Sequence, residues 1–336
     1  MASRSSLPRR ARAAVADDQA VLAASGHLTD RDRYLVRMVA EHRVLTTGQL
    51  CALGFDSIIT ARHRLGVLTS LGVLRRFRPR RDPGSAPWHY ILGPVGAALL
   101  GAEDRDERKW LPQVRASRQL ALERSQRLGH LTGTNWFFAA LARHARRGGG
   151  ELRAWASETA TAEWLYGFAV TGYALDALPH PGGLGTWAEH DRDITFLLEY
   201  DTGSEHLPQL TGKLARYAEL AAEAPRASLP LLFCFPSPRR EQSARRALAA
   251  SADAAVLRIA TAALDPRQAC PAGPAWMPLH RSPGRPVRLI DLDPAMPGPL
   301  RPGRDQAETA AGNARRGDPG GELTAAWAGP DDPYGP

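Results

Sequence analysis

The sequence predicts an α/β chain, α+β overall: a small helical domain closed by a β-hairpin, then a larger mixed-sheet domain. Three observations predict it. Between residues 27 and 103, three short amphipathic segments with cap signals precede two strand-like runs. From residue 151 onward, strand-like runs alternate with helical ones, the pattern of a sheet covered by helices. The third observation is charge. Residues 1–118 carry 20 basic and 11 acidic side chains, whereas residues 119–336 carry 23 and 24. A genome biased toward arginine would enrich both parts alike, so an excess confined to one part suggests a nucleic-acid partner.

Composition excludes other classes. The 336 residues allow two domains plus tails, and 43% apolar residues support real cores. Cys51, Cys234 and Cys270 form no C-x-x-C pair, which fits a reducing, cytoplasmic setting rather than a disulfide framework. The longest dense apolar run, LPLLFCF (229–235), is of strand length, so no membrane span is expected. Asp17 and Asp18 interrupt the basic N-terminus, which therefore does not read as a signal peptide.

Residues 1–26 read as a disordered basic arm. Thr29 or Asp30 then caps a helix whose stripe is Tyr34, Leu35, Met38 and Val39. Thr46 or Thr47 caps a second helix that stops at Gly54. SIITARHRLGVLTSLG gives a third, with Leu65, Leu68 and Leu71 inward, Arg62, His63 and Arg64 near the opposite face, and Gly72 as the stop. Two strands around a Pro/Gly turn follow, carrying Arg75, Arg76, Arg78, Arg80 and Arg81. Three helices and a basic hairpin are the winged helix-turn-helix order, expected here over 27–103. The third helix would enter the major groove of double-stranded DNA, and the arginines would hold phosphate. GPVGAALLGAE (93–103) is read as a short helix, because no strand of a phosphate-binding unit precedes it.

Residues 104–118 read as a polar linker, and 119–147 as one long helix with Leu120, Phe137 and Phe138 on its apolar face. Strands are expected at 151–157, 172–178, 193–201, 229–235 and 254–260, with HPGGLGTWAEHD as a loop. Helices are expected from SEHLPQLTGKLARYAELAAEA and SPRREQSARRALAAS. The α/β domain is thus expected over 119–262, and 263–336 as an extended, largely disordered tail.

The chemistry centres on FLLEYDTGSEHLPQLTGKLARY. Alternation along DITFLLEYD puts Glu199 and Asp201 on one face, roughly 7 Å apart between Cα atoms. Asp176, ending the 172–178 run, is their expected neighbour. Carboxylates crowded in this way need a cation, and Mg²⁺ with oxygen ligands suits Asp176, Glu199 and Asp201. Such an ion can activate water against a phosphodiester. Lys213 and Lys109 are the only lysines among 43 basic residues, and Lys213, on the following helix, could stabilise developing negative charge. Equally, strand-end acids can simply enter solvent, with Lys213 as their ion-pair partner. Glu158 is a further candidate ligand. The histidines show no zinc spacing, and there is no GxSxG or Walker A motif.

The chain resembles the replication-relaxation family of actinobacterial plasmids and integrative elements over about residues 28–250. The resemblance rests on LTDRDRYLVRMVAEHRVLTTGQL, LTSLGVLRRF, LGHLTGTNWFFAAL and, most specifically, LEYDTGSEHLPQLTGKLARYAEL. It implies a second domain similar to the restriction-endonuclease-like fold. In that fold an Asp, then a Glu or Asp, then a Lys two residues on form a metal site. Asp176 matches the first position and Glu199 the second. Asp201 stands where the lysine would be, Lys213 is displaced, and Leu175 replaces the usual proline. These departures concern chemistry more than fold. Three functions are therefore carried forward: a DNA-binding accessory protein of mobile-element replication, relaxation or transfer; a Mg²⁺-dependent endonuclease or nickase; and a transcription regulator. Double-stranded DNA is the expected partner, with replication or conjugation proteins and a second copy of the chain as further candidates.

Overall fold

The computed structural model describes residues 16–80, 84–106, 108–167, 178–224, 228–280 and 284–292. The chain divides into two compact units, Met1–Leu128 and Gly129–Pro336.

The first unit begins with a short helix, α1 (Asp18–Ser25), N-capped by Asp17. The expected arm is therefore ordered in this part: the Asp17 carboxylate, accepting from Gln19 N, offsets the weak apolar period. Helix α2 (Asp30–Glu41) is capped by Thr29, with Asp32 closing a reciprocal capping box. Thr46 and Gln49 do the same for α3 (Thr47–Gly54), and Ser57 caps α4 (Ile58–Ser70). Beyond α4, Gly72 takes φ +70°, the left-handed turn that most side chains resist. Strands β1 (Leu45–Thr46), β2 (Leu74–Phe77) and β3 (His89–Leu92) form an antiparallel sheet in the order β1-β3-β2. The arrangement is compatible with a winged helix. Leu35, Val39, Leu50, Leu65, Leu68 and Leu74 are completely buried and make its core, with Tyr90 almost so. GPVGAALLGAE forms helix α5 (Pro94–Glu103), as expected.

The expected linker packs instead on this unit. Trp110 and Val114 are buried, Trp110 Nε1 donates to Asp104 at 2.8 Å, and Gln113 Nε2 donates to the Ala40 carbonyl at 2.9 Å. Two apolar side chains four residues apart suffice for a local face that the polar composition hides. The expected helix 119–147 is two helices, α6 (Ala116–Glu123) and α7 (Leu128–Ala145). Between them Ser125 Oγ accepts from Arg127 N, a hydroxyl turn that competes with helix continuation. Leu120 stays substantially exposed, and Gln119 bonds Arg75 and the Leu92 carbonyl, so α6 belongs to the first unit.

The second unit is a six-stranded mixed sheet. Its strands are β4 (Glu151–Ser157), β5 (Gly183–Glu189), β6 (Arg192–Tyr200), β7 (Leu231–Phe235), β8 (Ile259–Ala263) and β9 (Met277–Pro278), hydrogen-bonded in that order. β4, β5 and β6 run antiparallel, β6, β7 and β8 parallel, and β9 antiparallel to β8. The expected loop 180–191 therefore contains a strand. Its glycines are there because Phe138 and Phe196 press on it: a Cβ on Gly185 would lie 2.6 Å from each ring. The expected strand at 172–178 lies outside the described residues except for Leu178.

Helix α8 (Glu158–Tyr166) follows β4, α9 (Leu207–Glu223) follows β6, and α10 (Pro238–Ala249) follows β7. Alternation along β6 decides which face meets which helix. Phe196 packs on Phe137 and Phe138 of α7, with ring centroids 6.0 and 6.1 Å apart. Leu197, on the other face, joins Leu210, Leu214 and Tyr217 of α9 and Ala244 and Leu248 of α10. The expected strand 254–260 begins later, because 252–256 is a 3₁₀ turn and β8 starts at Ile259. Part of the expected tail is core. Ala272, Trp276, Leu279, Leu289, Ile290 and Leu292 are buried, and Trp276 meets Phe137 at 6.0 Å. Prolines there break periodicity without lowering apolar content.

Candidate functional site

In the first unit, the basic residues expected to touch DNA separate into two groups. Arg62 and His63 lie exposed on α4. Arg64, one position on, turns inward. Its Nε and Nη2 donate to the fully buried Asp32 carboxylate at 3.0 and 2.5 Å, and Nη2 also reaches the His27 carbonyl at 2.6 Å. Burial alone would raise the Asp32 carboxyl, but hydrogen bonds from Arg64 and Thr29 outweigh it and hold the pKa below its ordinary value. Arg64 thus ties α4 to α2. The amphipathic period could not separate it from Arg62, because both lie off the apolar stripe.

The hairpin shows the same division. Arg75 Nη1 donates to Gln119 Oε1 at 3.0 Å. Arg76 and Arg78 stay exposed, each with its guanidinium over the Trp88 ring, 4.4 and 4.3 Å from the centroid. Side chains two apart on a strand share a face, so one indole serves both. Arg80 is exposed and bridges to Ser85, which carries the hairpin beyond β2 and β3. Arg81 lies outside the described residues. Trp88 was not singled out from the sequence, although Arg-x-Arg opposite Trp in a hairpin was a readable signal.

In the second unit, Glu199 and Asp201 sit at the C-terminal end of β6, beside the parallel strand β7, on the face covered by α9 and α10. Open α/β sheets carry their sites at such strand ends. Both residues are 3% exposed. Lys213 of α9 reaches Glu199. Its Nζ lies 3.0 Å from Glu199 Oε2 and 3.1 Å from Glu205 Oε2. Tyr217, one turn further on, donates its hydroxyl to Glu199 Oε1 at 2.7 Å. Asp201 has different partners. Its Oδ2 accepts from Arg240 Nε of α10 at 2.8 Å, and its Oδ1 accepts from Gly203 N. Gly203 takes φ +85°, the geometry that this tight turn requires. Arg240 also donates to the Glu205 carbonyl, pinning the loop between β6 and α9.

The electrostatics follow. Burial opposes the Lys213 charge, but Glu199, then Glu205, outweigh it and raise the pKa above the ordinary 10.5. Its neighbours therefore favour the charged ammonium form. Burial, reinforced by Glu199, pushes the Tyr217 phenol well above its ordinary range. The compact ammonium of Lys213 lies between two carboxylates on different segments. Tyr217 was foreseeable from its i, i+4 spacing to Lys213. Arg240 was not, since its partner lies 39 residues away.

As ligands for a metal, the described residues do not fit as they stand. Both oxygens of each carboxylate already accept a hydrogen bond, and each carboxylate has its own cation. A Mg²⁺ ion would have to share these oxygens with the hydrogen bonds of Lys213, Tyr217 or Arg240. Among the described residues no three or more His, Cys, Asp or Glu side chains group so as to hold a metal ion. Asp176 lies outside the described residues. Glu158 is the first residue of α8. Also among the described residues, no helix is long and apolar enough to cross a membrane.

A scan of protein families matches the one described as replication-relaxation over residues 36–230, more than half of the chain. No curated protein and no solved structure matches.

Proposed function

The chain belongs to the replication-relaxation family, and from that premise we propose that it is a DNA-binding accessory protein. Its family suggests a role in the replication or relaxation of a plasmid or other element. In this reading the first unit is a winged helix holding double-stranded DNA, and the second is a nuclease-like scaffold used for binding rather than cutting. One observation carries it: Arg62, Arg76, Arg78 and Arg80 are exposed, on a unit whose net charge is strongly positive, while Glu199 and Asp201 of the second unit are each paired with a cation internally. Helix α4 would enter the major groove, and the hairpin arginines would contact phosphate.

The test has two arms. Duplex binding is measured across a salt series for the wild type and for Arg76→Ala/Arg78→Ala. The reading requires affinity that falls with salt, with a shallower slope in the variant. Absence of duplex binding would end it. Supercoiled plasmid is then incubated with Mg²⁺, Mn²⁺ or EDTA, beside a Glu199→Gln variant whose fold is checked by its melting temperature. Intact plasmid is expected. Nicking that needs metal and disappears in the variant would make the chain a nuclease instead.

A further inference from the structure

The face of α4 that points away from the core carries an unusual set of side chains. Ile59 is 74% exposed and Ile58 is 38% exposed, both in the first turn. Arg62 and His63 are exposed one turn later. Gly66 follows on the same face, and a Cβ built there would meet nothing within 4 Å. Ser70 continues the line. Positions 59, 62, 63, 66 and 70 are one face of a helix.

Two of these choices are unfavourable for the isolated protein. A large β-branched apolar side chain in water gains nothing from burial, and glycine in a helix interior weakens it. No packing neighbour requires Gly66 to be small. Gly129 and Gly212 share that openness, but neither is preceded on its face by an exposed isoleucine and an exposed arginine. What meets this face must therefore be anionic enough to suit Arg62, apolar where it meets Ile59, and close enough to use the room at Gly66. The major groove of duplex DNA meets all three requirements. Its one methyl group is the C5-methyl of thymine.

We propose that Ile59 reads thymine methyl groups in the major groove, with Gly66 admitting the helix to close approach. The proposal rests on the DNA-binding reading above and adds the base class that the helix selects.

The experiment uses the full chain and a pool of random duplexes. Bound duplexes are selected and sequenced, and the selected duplex is remade with uracil in place of thymine. Uracil pairs identically and lacks only the methyl. Wild-type protein should bind the uracil duplex about fourfold more weakly for each methyl contacted, the factor that burial of one such group corresponds to. Ile59→Ala should bind both duplexes alike, and Ile59→Val should keep most of the difference. Gly66→Ala should raise the melting temperature by about 4 °C and weaken duplex binding. Selected sites without thymine, or equal wild-type binding to both duplexes, would overturn the inference while leaving DNA binding intact. A fall in sedimentation mass for Ile59→Ala would overturn it too, because the face would then join two copies of the chain. Failure of the wild type to bind any duplex would remove the underlying reading as well.

Discussion

In the first unit Arg62, Arg76, Arg78 and Arg80 leave their guanidiniums at the surface, whereas in the second Lys213 and Arg240 turn theirs onto buried carboxylates. The residue types are nearly the same, and the uses are opposite. An exposed arginine costs the fold little and is available to a partner. A cation set against a carboxylate that is 3% exposed is committed to the fold, because removing it strands a charge away from water. Arg64 sharpens the lesson, since it lies two residues from Arg62 and belongs to the second class. A cluster of charge is therefore informative about function only after its internal partners have been counted.

The comparison is most exposed to failure at Arg240. Arg240→Ala leaves Asp201 buried without its cation and should cost about 4 kcal/mol in denaturant unfolding of the second unit. A loss within the range of a surface substitution would mean that Asp201 is hydrated after all. Within α4, Arg64→Ala should cost about 3 kcal/mol, and Arg62→Ala less than about 0.5 kcal/mol while weakening duplex binding. Equal effects of the two would erase the distinction.

Acidity tests the same division from another side. Burial drives the His42 pKa in the first unit down from 6.5 to about 3. The unfolded chain therefore takes up a proton below pH 6.5 that the folded unit refuses. Stability falls with pH across that window, by about 2 kcal/mol between pH 6.5 and 5. Asp32, with its pKa lowered, adds to the loss once pH passes below its ordinary 3.8. Lys213 behaves in the opposite sense. With its pKa raised, its contribution is complete below 10.5 and disappears only as pH climbs through the folded value. Hydrogen exchange at pH 7 and pH 5 should therefore loosen the first unit selectively, and His42→Leu should flatten the dependence. Equal loosening of both units would refute this assignment. The smallest expected change is in Arg76→Ala/Arg78→Ala. Its stability should shift by no more than about 0.5 kcal/mol, yet the slope of log affinity against log salt should drop by about 1.8.

Much of this was legible in the sequence because the deciding forces are local. Of the paired cap candidates Thr29 and Thr46 are the ones that cap, and Gly72 ends α4. Alternation placed Glu199 and Asp201 on one face of β6, and the rarity of lysine drew attention to a side chain that does reach Glu199. What escaped was set at long range. The glycines of β5 read as a loop because the rings of Phe138 and Phe196 that justify them come from other elements. Arg240 could not be paired with Asp201 until α10 was seen to fold across the end of β6. Trp276 and its buried neighbours lie among prolines, where no periodic signal survives.

The two-residue strand β9 has a practical consequence for anyone dividing this chain. It covers the outer edge of β8, and Arg245 holds it there through the Met277 and Pro278 carbonyls at 2.7 and 3.0 Å. A fragment ended at residue 262, where the strand–helix pattern itself stops, would lose that cover. What remains of β8, residues 259–262, would then become an open, uncharged β-edge with unpaired backbone groups. Such an edge is a template for other molecules of the same fragment. The second unit should therefore be prepared through residue 292, and precipitation of a shorter piece would say nothing against its fold.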